Sequence, residues 1–492
     1  MNIIIPATGL GTRFKEAGYE ELKPFIKVNE RECILDFVIK CFDIKKDKFY
    51  FISRNDEKDK FIDFADTRQL NADVIVYQGE KLGPAGTLIG VKDSFASIIN
   101  EAAIVSYCDF GQEWDYEDFL DFVKHNKDAQ GIVPCYTGYH PHLEPVENVY
   151  AVCKTYERSN EVYRVAEKYY SQDKMNEFHS SGIYYFKTLK IAFEAIEKQM
   201  QVHDMLHGEY YLSITNNYLD KVLCYPFVKK FYQFGTPKDF EYAKNKLQAR
   251  DNLINEGANV DNTVILSAGR GERFLSLSFS QPKPFLPLGN STIIENIIRT
   301  LKNINTNIIC VGAKDHEKYW KNIKVNTRYV EPNKIGAAYS YISACEDLKG
   351  STLILPCDLI AKHIDIDFNR MQEKADAIIF VSKASKFNYD NPHYFTWIEG
   401  KGGTVTGVYV KQRLNDSHLI MIGSFYFRDN QTLIAHIREM FEKEVKVNGE
   451  FYIDSVFDLM LSRYKIYYIV LENYFSYGTP SEYLENSYWW RS

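Results

Sequence analysis

A short glycine-rich motif occurs twice in this sequence, first near the N-terminus and again just past the middle of its 492 residues. Gly9-Leu-Gly-Thr-Arg13 is followed ten residues after the arginine by Lys23, and Gly269-Arg-Gly-Glu-Arg273 is followed at the same distance by Lys283. The offset between the two copies is 260 residues (283 − 23). A repeat of this length constrains the fold more than any other feature, because two copies of one sequence adopt one architecture twice.

Later motifs recur in the same order, which makes chance similarity a poor explanation. The pairs are residues 106–109 and 355–358, 181–186 and 422–427, 208–211 and 449–452, and 234–237 and 477–480. The offset falls to 249 (358 − 109) and 241 (423 − 182) and ends at 243 (478 − 235). Since the order is kept while the loops change length, we infer a tandem duplication.

The repeat also indicates the domain boundaries. Helical stretches follow Pro237 and Pro480, and residues 255–262 are polar, as is typical of a linker. We therefore predict a first domain at 1–254, a linker at 255–262 and a second domain at 263–492. In both, short β-branched runs alternate with amphipathic stretches, which predicts an α/β fold: two Rossmann-like, three-layer domains with mostly parallel central sheets.

The composition is that of an ordinary globular protein, with a net charge of −7, 25 % charged and 45 % hydrophobic residues. This balance argues against a nucleic-acid partner. No apolar run reaches the ~20 residues of a membrane span, and the N-terminus lacks the pattern of a signal peptide, so we expect a cytoplasmic protein without membrane association. The nine cysteines contain no Cys-x-x-Cys pair and are expected to be reduced.

The glycine-rich turn follows an apolar run, so its backbone N–H groups are suited to phosphates. Taken alone, it is equally typical of a tight turn. Arg13 and Lys23 favour phosphate binding, because the spread charge of a triphosphate needs fixed cations. The turn is not a Walker A loop, because no Gly-Lys-Ser/Thr occurs, nor a dinucleotide fingerprint, because Phe14 stands where the third glycine would be.

With this spacing the sequence resembles the nucleotidyltransferase family that activates sugar phosphates and related alcohol phosphates, over nearly the whole chain, twice. The resemblance implies GT-A-like domains in which the turn and its arginine hold the triphosphate of the incoming nucleotide and the lysine contacts the phosphates at the reacting centre. By resemblance these residues are Gly9, Leu10, Gly11, Thr12, Arg13 and Lys23 in the first copy and Ala268, Gly269, Gly271, Arg273 and Lys283 in the second.

Residues 78–87 look like the family's base-recognition segment, in which the start of a glycine-rich helix binds the base; the alternative is a helix N-terminus without a ligand. The residues concerned are Gln78, Gly83, Gly86 and Thr87. Residues 331–338, with Gly336, are a looser match. We therefore expect the second copy to recognise a different base or to recognise it poorly.

Asp109 and Asp358 are similar to the family's metal-binding aspartate, and a carboxylate suits Mg²⁺; a capping role is the alternative. Where many members carry a second aspartate, this chain has Gln233 and Ser476. Nearby acids could substitute, as in the choline-phosphate branch. They are Glu209 in the first copy and Glu450 with Asp454 in the second.

The acceptor side is marked by a resemblance to the family's Glu-Lys pair and to the stretch that lines its acceptor pocket. The pair is Glu167 and Lys168, with Lys411 as counterpart, and the stretch is Ser181 and Gly182, with Gly423 as counterpart. A solvated lysine at a strand end is the alternative. His140 and His142 are interpreted as part of a surface or substrate loop rather than as a metal pair.

The resemblance implies Mg²⁺-dependent transfer of a nucleotidyl group from a nucleoside triphosphate to a phosphorylated sugar, polyol, choline or amino acid. Capsule-type cytidylyltransferases are most similar to the first copy, which favours CTP there and a role in bacterial surface polysaccharide synthesis. One active domain with a degenerate, nucleotide-binding partner is an alternative. A GT-A glycosyltransferase is another, although Asp109 and Asp358 lack its Asp-x-Asp motif. A homodimer and an intrachain pseudo-dimer both stay open.

Overall fold

Apolar runs rich in Ile, Val and Phe form buried strands in both halves of the chain. The computed structural model describes residues 1–143, 151–169, 173–271, 273–274, 281–332, 335–413 and 418–490. The chain divides into two compact units, Met1–Asn245 and Lys246–Ser492. Among the described residues, no helix combines the length and apolar character needed to cross a bilayer.

The described residues of the first unit form twelve strands and most of eight α-helices. The strands are β1 (Asn2–Pro6), β2 (Lys48–Ser53), β3 (Ala72–Val76), β4 (Ala103–Ser106), β5 (Phe110–Glu113), β6 (Gly131–Tyr136), β7 (Val152–Thr155), β8 (Glu161–Ala166), β9 (Phe178–Ser180), β10 (Ile183–Phe186), β11 (Val222–Tyr225) and β12 (Lys230–Gln233). The helices are α1 (Thr12–Glu16), α2 (Ile34–Ile39), α3 (Lys58–Thr67), α4 (Gly83–Ile89), α5 (Tyr116–His125), α6 (Leu189–Gln201), α7 (Leu212–Thr215) and α8 (Pro237–Asp251), which contains the division between the units.

The central sheet of the first unit runs in the order β3-β2-β1-β4-β10-β6-β11. β1 pairs in parallel with β2 and β4, β2 with β3, and β6 with β11, whereas β10 is antiparallel to β4 and β6. Within this row β10 alone runs against the others. β7, β8 and β9 extend the sheet through antiparallel pairs.

Side chains alternate across this sheet and build a core on each face. Ile3 and Ile5 of β1 pack with Leu35 of α2, while Ile4 packs with Leu88 of α4 in a separate cluster. Successive residues of a strand point to opposite faces, so an unbroken apolar strand requires helices on both sides. The predicted three-layer arrangement is thereby confirmed for the first unit.

The second unit repeats this plan. Its strands are β13 (Glu256–Ser267), β14 (Pro287–Leu288), β15 (Ser291–Thr292), β16 (Asn303–Ala313), β17 (Asn326–Val330), β18 (Thr352–Pro356), β19 (Leu359–Ala361), β20 (Ala377–Lys383), β21 (Trp397–Lys401), β22 (Thr404–Tyr409), β23 (Leu419–Phe427), β24 (Ile466–Val470) and β25 (Tyr474–Ser476). Its helices are α9 (Ile293–Thr300), α10 (Glu317–Trp320), α11 (Ala337–Cys345), α12 (Ile366–Gln372), α13 (Lys386–Asp390), α14 (Asn430–Glu442), α15 (Asp454–Met460) and α16 (Pro480–Trp489).

The strand order of the second unit, β17-β16-β13-β18-β23-β20-β24, matches that of the first position by position. β13 pairs in parallel with β16 and β18, and β20 with β24, whereas β23 is antiparallel to its neighbours β18 and β20. β23 therefore takes the place of β10. The two predicted α/β domains with mostly parallel central sheets are confirmed.

The stretch 255–262, expected to be a linker, is not one in the structure. β13 begins at Glu256 and pairs with β16 from that residue onward. Asn255 is fully buried, and its side-chain oxygen accepts hydrogen bonds from the backbone N–H groups of His363 (2.7 Å) and Ile364 (2.8 Å). Its amide nitrogen donates to the Thr300 carbonyl (3.1 Å). The polar side chain thus completes backbone hydrogen bonding inside the unit, which composition alone does not distinguish from a loop.

Asn255→Ala should lower the free energy of unfolding of the second unit by about 2–3 kcal/mol, because it leaves buried backbone groups without partners. Urea unfolding at 25 °C measures this. Asn252→Ala is the matched control, since Asn252 lies three residues before Asn255 and is exposed. Equal stability of the two variants would mean that the segment behaves as a linker after all.

Candidate active site

The glycine-rich turn and Asp109 follow two strands that lie side by side. β1 and β4 are parallel, with Ile4 opposite Val105, so their carboxyl ends reach the same edge of the sheet. Ligands of such sheets bind at this edge. A cavity of about 540 Å³ opens there in the first unit. The predicted site residues that line it are Gly9, Leu10, Gly11, Thr12, Arg13, Lys23, Asp109, Glu167, Lys168, Ser181, Gly182 and Glu209.

An ion pair joins the glycine-rich side of this cavity to the strand end. Lys23 Nζ lies 2.7 Å from Asp109 Oδ2 and also donates to the Gly235 carbonyl at 3.0 Å. Gly11 has a left-handed backbone with φ 63°, which favours glycine, and a Cβ there would stand 3.7 Å from the Lys23 side chain. The turn and the lysine are therefore packed against each other.

The second unit has the same pair in the same setting. Lys283 Nζ lies 2.5 Å from Asp358 Oδ2, and Gly271 again has φ 63° beside the lysine. Burial disfavours the charged ammonium, but the Asp358 carboxylate outweighs it and raises the pKa of Lys283. Lys283 is thus cationic at neutral pH. The positive charge of Arg273 is close enough to Lys283 to oppose this rise in pKa. The predicted residues Arg273, Lys283 and Asp358 therefore lie together.

The predicted base-recognition residues are not among those that line the cavity in the described part of the first unit. Their segment instead contacts the loop that carries Glu209. The Tyr210 N–H donates to the Leu82 carbonyl (2.8 Å), and the Ala85 N–H donates to the Tyr210 carbonyl (3.1 Å). Thr87 Oγ1 shares a hydrogen bond of 2.9 Å with Thr8 of the glycine-rich turn.

Glycine is required at the start of both helices that are predicted to recognise the base. Gly83 has φ 83°, and a Cβ there would lie 2.8 Å from the Glu209 side chain and 2.9 Å from the Tyr210 backbone. Gly336 has φ 123°, and its Cβ would lie 2.4 Å from the Phe451 carbonyl oxygen. Glycine is favoured at position 86 for a different reason, because this residue packs against Leu82. Asn333 and Lys334 of the second segment lie outside the described residues.

The acceptor-side residues of the first unit surround one lysine. Lys168 has φ 49°, and its Nζ donates to the Tyr211 hydroxyl at 3.2 Å. The adjacent Glu167 accepts a hydrogen bond from the Ser213 hydroxyl. Burial raises the pKa of Glu167, and Ser213 and Lys168 partly counter this. Ser181 Oγ is buried and has no hydrogen-bond partner in the described part of the chain.

Lys411 occupies the matching place in the second unit. It also has a positive φ, 57°, and its Nζ donates to the Tyr394 carbonyl at 2.7 Å. Burial lowers the pKa of Lys411, while Asp454 and Glu450 oppose the change. Gly423 follows the pattern of Gly182, with φ 78° in place of 82°.

The candidate metal ligands have other partners. Glu209 forms an ion pair with Lys81 at 3.1 Å, and Asp454 accepts a hydrogen bond from Thr396 at 2.5 Å. The hydrogen bond to Glu450 adds to burial in raising the pKa of Tyr452 to about 12. In the described residues no three His, Cys, Asp or Glu side chains form a metal-binding cluster.

Sequence reasoning missed several residues that line the cavity. They are Lys81, Tyr107, Cys108, Ala151, Ser180, Tyr184, Tyr211, Phe231 and Thr236. Tyr211 lies in a motif that both copies share, which was a usable signal, whereas Phe231 reaches the cavity only through the pairing of β12 with β5. Of the two predicted roles, surface loop and substrate loop, the first is wrong for His140, which is buried with Tyr136 and whose pKa burial lowers to about 4, while the second stays a prediction.

Comparisons with known proteins agree with this geometry in both units. The sequence model of the nucleotidyl transferase family matches residues 2–250, and that of the MobA-like NTP transferase domain matches residues 263–415. The bifunctional protein GlmU of Methanococcus maripaludis is 22% identical over 218 residues, which are 43% of this chain and 50% of that relative. The 2-aminoethylphosphonate cytidylyltransferase of Lancefieldella rimae is 30% identical over 116 residues, which are 21% of this chain and 46% of that relative.

Among solved structures, the nucleoside-diphosphate-sugar pyrophosphorylase from Vibrio cholerae RC9 aligns with a TM-score of 0.41 and 18% identity, covering 49% of this chain and 99% of that chain. The chain spans about half the length of the two curated relatives. Because the nucleotidyl transferase match covers half of the chain, from residue 2 to residue 250, this protein belongs to the nucleotidyl transferase family.

Proposed function

We propose that each unit transfers a nucleotidyl group from a nucleoside triphosphate to a phosphorylated acceptor and releases pyrophosphate. The lysine–aspartate pair beside a glycine-rich turn carries this proposal, because it occurs with the same geometry in both units. Family membership of the chain supports it. The retention of both pairs also favours two active units over one active unit with a degenerate partner.

In this reaction an acceptor phosphate oxygen attacks the α-phosphorus, one P–O bond forms, and the bond to the β-phosphate breaks. The nucleophile is already an anion, so no side chain has to remove a proton. Positioning and charge neutralisation supply the acceleration. The turn from Gly9 to Thr12 and Arg13 hold the triphosphate, and Lys23 stabilises the charge at the reacting centre. Gly269, Gly271, Arg273 and Lys283 do the same in the second unit.

The donor chemistry at each strand end fits Mg²⁺. Asp109 and Asp358 offer hard carboxylate oxygens, and Mg²⁺ sites need only one or two carboxylates when substrate phosphates complete the coordination. We propose Glu209 and Glu450 as the second carboxylates. Bound Mg²⁺ would neutralise phosphate charge during transfer. Asp454 instead accepts a hydrogen bond from the Thr396 hydroxyl.

We further propose that the first unit uses CTP and that the products serve surface or capsule polysaccharide synthesis. The partial similarity of this chain to a protein named as a 2-aminoethylphosphonate cytidylyltransferase supports CTP as one of its nucleotides, and the resemblance of the first copy to capsule-type cytidylyltransferases favours the first unit for it. Sugar, polyol, choline and amino-acid phosphates are the acceptor classes to test.

Lys23→Met and Lys283→Met should each lower the rate of pyrophosphate release by their own unit by about 10²–10³-fold, because a cation at the reacting centre is lost. Each variant keeps the activity of the other unit, and the double variant loses both. A coupled pyrophosphate assay with four nucleoside triphosphates and a panel of acceptor phosphates measures this. Lys190→Met, at an exposed lysine on α6, is the control. Unchanged turnover in the double variant would refute the proposal.

We also propose that the segment 78–87 forms the base site through its attachment to the Glu209 loop. Gly83→Ala should weaken CTP binding by about tenfold or more, because the added Cβ collides with Glu209 and Tyr210 and displaces the helix start. Calorimetric titration with CTP measures this. Gly138→Ala is a matched control, since Gly138 has φ 86° but nothing within 4 Å of its Cβ position. Equal losses in both variants would assign the effect to backbone strain alone.

A further inference from the structure

The two units can be compared residue by residue along their acceptor sides. Val152 of β7 pairs with Ala166 of β8, and Trp397 of β21 pairs with Tyr409 of β22. The residues one step before these pairs, Ala151 and Thr396, are therefore equivalent. By the same register Glu167 corresponds to Val410, and Lys168 corresponds to Lys411. The positive φ of both lysines agrees with this correspondence.

A second correspondence comes from the helix that closes the acceptor side. Gly208 and Gly449 have φ values of 78° and 82° in the same tight bridge. Five residues later the chain reaches Ser213 in α7 and Asp454 at the start of α15 (213 − 208 and 454 − 449). These two residues are thus equivalent as well.

A carboxylate is present in both units, but it comes from different positions. In the first unit Glu167 supplies it and accepts a hydrogen bond from Ser213. In the second unit Val410 replaces that glutamate, Asp454 stands in the place of Ser213, and Thr396 provides the hydroxyl donor. The residues at three equivalent positions differ between the units, yet in each unit a carboxylate accepts a hydrogen bond from a hydroxyl.

This exchange is not simple loss of a site. A buried carboxylate without a partner is costly, and Ser213→Asp alone would have removed the hydroxyl donor of Glu167 and placed a second carboxylate beside it. In both units the carboxylate also lies close to the equivalent lysine. Burial raises the pKa of Glu167 and of Asp454, and Lys168 and Lys411 respectively counter that rise. The carboxylate near the lysine thus follows strand β8 in the first unit and belongs to helix α15 in the second.

The remaining lining differs in hydroxyl content. Tyr184 of β10 lies opposite Val105, as Phe425 of β23 lies opposite Ile354, so these two residues are equivalent. A Cβ atom on Gly182 would contact Tyr107, and one on the equivalent Gly423 would contact Pro356. Tyr107 and Pro356 are therefore equivalent as well. Tyr107, Ser180, Ser181 and Tyr184 of the first unit thus correspond to Pro356, Met421, Ile422 and Phe425 of the second.

The first unit therefore has four hydroxyl-bearing residues where the second has four apolar side chains, and the hydroxyls of Ser180 and Tyr184 already share a hydrogen bond of 3.0 Å. Ser181 Oγ is buried, lines the cavity and lacks a partner in the described chain, so a ligand hydroxyl would satisfy it. A pocket lined by hydroxyls disfavours an acceptor that cannot form hydrogen bonds with them. An apolar pocket disfavours an acceptor with hydroxyls, because those hydroxyls would lose their hydrogen bonds to water without gaining new ones. Asp454, next to such an apolar wall, favours a cation or strong N–H donor.

We propose, on the basis of the nucleotidyl transfer proposed above, that the two units act on different acceptors. The first takes a phosphate that carries several hydroxyl groups, such as a sugar or polyol phosphate. The second takes a phosphate or phosphonate on a short apolar chain that ends in an amine, which Asp454 binds. Glu167 and Asp454 are then the residues that decide between the two classes.

Single-unit assays of the full chain test this without altering the pocket of the unit whose activity is measured. Lys283→Met leaves only the first unit active, and Lys23→Met leaves only the second. Glucose 1-phosphate and ribitol 5-phosphate are the hydroxylated probes, and phosphoethanolamine and phosphocholine are the amine probes, each with four nucleoside triphosphates. We expect the two variants to prefer opposite probe classes by about tenfold or more in kcat/KM.

Exchanging the three linked positions then tests the assignment of residues. In the Lys283→Met background, Ala151→Thr, Glu167→Val and Ser213→Asp together should shift the amine-to-hydroxyl ratio of kcat/KM by about a hundredfold toward the amine. The reciprocal exchange of Thr396→Ala, Val410→Glu and Asp454→Ser should shift the second unit the other way. Glu157→Val, at an exposed glutamate of the same hairpin, should leave the ratio unchanged.

The outcomes separate this inference from the function on which it rests. If both single-unit variants release pyrophosphate with the same acceptor preference, or if one unit turns over none of the probes, the inference is overturned and nucleotidyl transfer stands. If no combination of nucleotide and acceptor releases pyrophosphate in the unaltered chain, the proposed function itself fails. Opposite preferences that follow the exchanged residues support both.

Discussion

The lysine–aspartate pair is the interaction around which each unit arranges its cleft. Lys23 and Lys283 bring the glycine-rich turn against the strand end, where Asp109 and Asp358 accept their hydrogen bonds. Half-buried ion pairs add little net stability, because the cost of removing the charges from water offsets their attraction. Retention of the pair in both copies therefore favours a role in binding a charged ligand over a role in folding.

Around this constant centre the two copies have diverged in an ordered way. The sheets keep one strand order, and the helices predicted to recognise the base keep a glycine where Tyr210 or Phe451 approaches too closely for a side chain. The acceptor sides differ, since the carboxylate of Glu167 is replaced by that of Asp454. Under the proposed function, a duplicated fold keeps the chemistry of nucleotidyl transfer and changes the acceptor, because the transfer site and the acceptor site use different side chains.

The repeat and the β-branched runs were sufficient to predict the fold, since periodicity and strand order are local and ordered properties of the chain. The roles of the site residues stay predictions, although twelve of them line one cavity in the first unit. Long-range contacts were not predictable: Asn255 bonds to His363 and Ile364, so a polar stretch begins a strand. Asp454 was predicted as a metal ligand, but it accepts a hydrogen bond from Thr396, and this contact likewise depends on tertiary packing.

One chain is proposed to carry two complete nucleotide sites. The most direct measurement is the number of nucleotides bound per chain at saturation, by calorimetric titration of the intact protein with Mg²⁺ and non-hydrolysable analogues of the four nucleoside triphosphates. Two sites per chain, summed over the analogues that bind, is the predicted result. A total of one site or none would contradict the account.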